Sequence, residues 1–171
     1  IAFIGSGIIA RESDQRTAEF LFSRPISRRR VLMVRHGAVC TLVLAPVVLT
    51  SISAIWLSNA VNEHLEWGLT LGATFYMCLF LWMLICMTTL ISCWAAHQLT
   101  AGAVIVGIAL LSFAFYLVQG LGDLSLFRLI DVRVFMSMRD GIWPWAESVS
   151  MVMASMLMLI VADRQLNRRD F

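Results

Sequence analysis

Cys78, Cys86 and Cys93, at intervals of eight and seven residues, come nearest to a cofactor-binding pattern, with Met77, Met83 and Met87 in the same stretch. Thiolates and thioethers are soft ligands that suit Cu(I). The same side chains also fill irregular gaps between helices, and that reading is preferred because the whole stretch is apolar. Cys40 is the fourth cysteine, and no CxxC pair occurs. His36, His64 and His97 are scattered, none within an HExxH motif, and read as interfacial polar residues. There is no GxxxxGK[ST] stretch, so the sequence offers no P-loop. No cofactor and no metal are expected, and no catalytic residues.

Paired acids, or a nucleophile beside a base, would be needed for an intramembrane enzyme. The apolar runs hold no such pair. They do hold scattered polar groups. Thr50, Ser51, Ser53, Ser58 and Asn59 lie toward the end of one run, and Thr88, Thr89 and Ser92 lie within the next. Hydroxyls at such positions read first as glue between helices. Gln119 and Glu147 lie near the ends of two further runs. An ionisable group in a membrane is a functional-site hypothesis by default, so Glu147, Gln119 and Asn59 form a candidate substrate path. Trp143 and Trp145 offer Glu147 an alternative as an interfacial carboxylate in reach of water.

The elements that carry these residues follow from composition. Hydrophobic residues make up 60% of the 171-residue chain and charged ones 14%. Soluble domains hold roughly 25% charged residues, so a soluble enzyme, a nucleic-acid-binding domain and a disordered chain are all disfavoured. Uncharged runs cover residues 37–60, 68–96 and 99–122, and a further apolar run covers 147–162. At 1.5 Å per residue, the first reaches roughly 36 Å, enough to cross a bilayer with tilt. Pro46 should kink it. Residues 1–10 are apolar and read as the end of a truncated span. The expectation is an all-α integral membrane protein, a single polytopic bundle over 1–171 with about five spans.

All 13 basic residues are Arg, and seven lie between Arg11 and Arg35. The tail from Asp163 carries three more, and the 61–67 loop none. Basic loops face the cytoplasm, which puts 11–36 and the tail inside and the 61–67 loop outside. Residues 123–146 fall outside too, with Asp123, Asp131 and Asp140 balancing Arg128, Arg133 and Arg139. Leu126, Phe127, Ile130 and Val134 share one helical face there, so the segment is expected to be extracytoplasmic or re-entrant. Gly68 and Gly72 permit a close helix approach, within one chain or between two copies.

The 11–36 segment holds an amphipathic stretch. Thr17 can cap a short helix with Glu19 in its first turn. Phe20, Leu21 and Phe22 make its apolar face, and Pro25 stops it. Arg28, Arg29 and Arg30 suit anionic lipid head groups. The order Glu12, Arg16-Thr17, Glu19, Leu21-Phe22, Pro25-Ile-Ser27-Arg28 and Arg35 resembles the signature between the second and third spans of ABC-2 type transporter permeases. Arg16 stands where that family has Gly, and Arg35 where it has Lys. The Arg-Arg-Asp tail is similar to the family's as well.

The resemblance implies a six-span permease of a prokaryotic plasma (inner) membrane, N-terminally incomplete here, with a cytoplasmic C-terminus. It implies an ATP-binding partner subunit that holds the ATP, a second permease copy and a lipid surround. Nucleic acid is not an expected partner. By the same resemblance Glu12, Thr17, Glu19, Phe20, Leu21, Phe22, Pro25 and Arg28 form the coupling helix that docks into the ATPase. Export of an amphipathic or hydrophobic substrate is the expected function. The alternative is an ABC-coupled membrane protein serving assembly, maturation or signalling.

Overall fold

The computed structural model describes residues 27–61, 65–95, 97–118 and 120–168. Among them every regular element is helical. The α-helices are α1 (Arg28–Ala60), α2 (Trp67–Trp94), α3 (Gln98–Leu117), α4 (Val132–Arg139) and α5 (Trp145–Arg168). Two 3₁₀ turns, Gly122–Leu124 and Leu126–Ile130, link α3 to α4. Helices α1, α2, α3 and α5 are each long and apolar enough to cross a membrane. The expected all-α polytopic architecture is present, with four such helices among the described residues. Residues 1–10, where the end of a further span is expected, lie outside them.

Helices α1 and α5 outrun their apolar stretches. Helix α1 is 33 residues long and begins inside the arginine cluster. At 1.5 Å per residue that is about 50 Å, well beyond a hydrocarbon core of about 30 Å. Its start is set by Ser27, in extended conformation, whose hydroxyl accepts a bond from the Arg30 N–H at 3.3 Å. The helix runs on through Pro46, and near it the Pro46 and Val47 carbonyls accept bonds from the Thr50 and Ser51 hydroxyls at 2.9–3.0 Å. Helix α5 likewise continues past Asp163 to Arg168, because Ala162 and Leu166, one turn apart, stay buried in a cluster shared with α1 and α2. Helix α3 stops at Leu117, short of the expected 122, and the chain turns at Gly120 with φ of +92°.

Two packed clusters order the bundle. One joins Leu32 and Val39 of α1, Ile85 and Cys93 of α2, and Ala162 and Leu166 of α5. The other joins Tyr76, Phe80 and Met83 of α2 with Met138 of α4 and Met151 of α5. The first half of α1 therefore meets the second half of α2 and the end of α5, so α1 runs antiparallel to both, and α2 and α5 run parallel. Trp67 and Trp94 open and close α2 and are both exposed, as residues at the two interfaces would be.

Candidate functional site

At the end of the bundle away from Arg28–Arg35, the chain between α3 and α5 folds back over α2. The 123–146 segment is broken into short turns, because Ser125 and Asp131 both take extended conformations. Ser112 of α3 anchors it. The Ser125 hydroxyl donates to the Ser112 carbonyl at 2.7 Å, and the Ser112 hydroxyl accepts from the Leu126 N–H at 2.8 Å. Tyr76 of α2 adds a second anchor, its hydroxyl donating to the Leu129 carbonyl at 2.7 Å. Leu126, Ile130 and Val134 pack on the cluster around Tyr76, while Phe127 turns to Phe113 of α3, edge to face at 5.9 Å. The four residues expected to share one face thus divide between α2 and α3.

Helix α4 ends in a Schellman motif. The Ile142 N–H bonds the Ser137 carbonyl at 2.9 Å, the Gly141 N–H bonds the Met138 carbonyl at 3.1 Å, and Gly141 has φ of +80°. That reversal brings Trp143 back onto α2, where its ring meets Phe75 and Tyr76 with centroids 6.2 and 6.3 Å away. A Cβ at Gly72 would sit 3.3 Å from the Trp143 ring, whereas Gly68 faces open space. Of the two glycines, Gly72 serves packing within the chain.

Between these turns and the end of α3 lies an open cleft of about 830 Å³. Tyr116, Trp143 and Trp145 give it aromatic walls, and Asp131, Arg133 and Glu147 give it charge. Asp123 and Arg128, also on its wall, pair with each other. Glu147 is half-buried in the first turn of α5. Asn59 is exposed on α1 and does not line the cleft. Gln119 lies outside the described residues, as do Glu12, Thr17, Glu19, Phe20, Leu21, Phe22 and Pro25. Arg28 is the first residue of α1. Behind the 3₁₀ turn Leu126–Ile130 is a wholly apolar pocket of about 130 Å³, walled by Phe80 and Leu84 of α2, Ile105 of α3, and Leu126 and Phe127.

The opposite end holds a polar junction that the sequence reading did not find. His36 is 6% exposed and belongs to α1, not to a loop. Its Nδ1 lies 3.0 Å from Thr89 Oγ1 of α2. The Thr89 hydroxyl spends its own proton on the Ile85 carbonyl at 2.8 Å, so Nδ1–H must donate to it. In the neutral ring that leaves Nε2 as an acceptor, facing the Cys40 and Cys86 thiols at 3.4 and 3.9 Å. The available signal was His36 and Cys40 four residues apart, on one helical face. Among the described residues no three His, Cys, Asp or Glu side chains are placed to hold a metal ion. The span hydroxyls of Thr50, Ser53 and Ser58 bond carbonyls of their own helix.

The family model for ABC-2 family transporter proteins matches residues 1–130. Comparison with curated proteins and comparison with solved structures return no match. The matched region takes in the Glu12–Arg35 motif, the helices α1, α2 and α3, and the turns that wall the cleft. It covers 130 of the 171 residues, and with its four membrane-length helices the chain belongs to the ABC-2 transporter family as a multi-pass membrane component.

Proposed function

We propose that the chain is the permease subunit of an ABC exporter, working with an ATP-binding subunit and a second permease copy. The Arg-rich end faces the cytoplasm and the cleft faces outward. The observation that carries this reading is the family match running without a break from the Glu12–Arg35 segment into α1. A push on that segment enters α1 directly. It reaches α2 through His36 and Thr89 and through the cluster of Leu32, Val39 and Ile85. Switching requires that ATP favour one arrangement of the spans over another, and a firm contact between α1 and α2 makes the two move together.

The test is docking of the ATPase. If Phe20, Leu21 and Phe22 fill an ATPase pocket, Leu21→Asp places an unpaired charge in a dry contact, at a cost of several kcal/mol. Arg28→Ala removes at most a rim ion pair, of ~0–1 kcal/mol. Co-purification of the ATPase should fail with Leu21→Asp and survive Arg28→Ala. Full co-purification and full ATP hydrolysis with Leu21→Asp would make the segment a membrane-surface anchor instead.

A further inference from the structure

We propose that the cleft receives the cationic end of an amphipathic ligand; only the movement of that ligand rests on the permease reading. The size is right, since small-molecule sites span roughly 300–1,000 Å³ and this cleft holds about 830 Å³. Its walls combine two features that favour a cation. The first is aromatic surface. Trp143 and Trp145 stand 6.3 Å apart and tilted by 60°, with Tyr116 across from them on the end of α3. Ring faces attract ammonium groups, and quaternary ones above all, because those carry charge without donating hydrogen bonds.

The second feature is the charge that remains after local pairing. Asp123 and Arg128 satisfy each other. Asp131, Arg133 and Glu147 make no ion pair among the described residues, which leaves two carboxylates against one guanidinium. Glu147 sits at the positive end of α5, but a full carboxylate outweighs the half charge of a helix terminus. A neutral or anionic head group would leave these carboxylates unanswered.

The cleft's own walls supply the amphipathic character. Leu117, Leu129, Val134 and Ile142 line it beside the aromatic and charged groups. A ligand there finds charge, ring faces and hydrocarbon within one cavity.

The test is equilibrium binding of tritiated tetrabutylammonium to the full chain in uncharged maltoside micelles, read by scintillation proximity. Neither nucleotide nor the ATPase is present, so failure here leaves the permease reading standing, and failure of ATPase docking leaves this result intact. Binding should saturate, and decyltrimethylammonium should displace the probe where decyl sulfate does not. Glu147→Gln and Trp145→Leu should each weaken binding about five-fold or more. Trp145→Phe should keep most of it, and Arg133→Gln should hold or tighten it. Trp145 is 71% exposed, so its replacement spares the fold. Non-saturable binding, equal displacement by the two decyl compounds, or parental affinity in both Glu147→Gln and Trp145→Leu would overturn the proposal.

Discussion

The two ends of the bundle hold their polar groups in opposite ways. At the arginine end His36 and Thr89 are buried, bonded to each other across α1 and α2, and surrounded by thiols and aliphatic side chains. At the other end Asp131, Arg133 and Glu147 stand in an open cleft and make no ion pair among the described residues. Only the frame of the cleft is fixed, by Ser112 and Tyr76. A buried polar contact in a low-dielectric setting is costly to break, whereas exposed charges are cheap to rearrange. The arginine end is therefore suited to carry a displacement from one helix to the next. The cleft end is suited to change its contacts as a ligand arrives and leaves.

The largest effect is expected at the firm end. Thr89→Val strands the His36 Nδ1–H in an apolar junction, and an unmet buried donor costs about 1–3 kcal/mol. The purified protein should show a clearly lower unfolding midpoint, with the cleft residues losing protection no sooner than the rest. Ser112→Ala should act more locally. It removes the acceptor of the Leu126 N–H and a neighbour of Ser125, and a loss of about 1–2 kcal/mol is expected. Hydrogen exchange should quicken over residues 122–140 while the α1–α2 junction stays protected. Arg128→Gln sharpens the contrast from the small side. Its ion pair with Asp123 is exposed at both partners, so stability should shift by no more than about 0.5 kcal/mol.

Much of this bundle was legible in composition, since apolar runs of spanning length leave few alternatives to membrane helices. Charge proved a poor guide to where helices end. Arg28–Arg35 and Asp163–Arg168 are helical despite their charge, because Leu32, His36 and Leu166 keep a packed face beneath the arginines. Glu147 stands out in the sequence as an ionisable group near the end of an apolar run, and it lines the cleft together with Trp143 and Trp145, the two residues that offer it an interfacial role instead. His36 was missed because a histidine at the edge of a charged run reads as interfacial. Only tertiary contact with Thr89 reveals it as buried. The clamp of Ser112 and Ser125 was also out of reach, since nothing in the local pattern announces a bond between a span and the turn after it.

On the permease reading, ATP acts at one end of the bundle and the cleft responds at the other. Ile142 lines the cleft and is 66% exposed, while the native Cys40, Cys78, Cys86 and Cys93 are buried or half-buried in the helices. Ile142→Cys should therefore give an impermeant thiol reagent a target that the parent lacks. With the ATPase subunit present, labelling is expected from the outer side, at a rate that changes several-fold when the ATPase is trapped in its ATP-bound state. Labelling from the cytoplasmic side alone, or an outer rate indifferent to that trap, would contradict that reading.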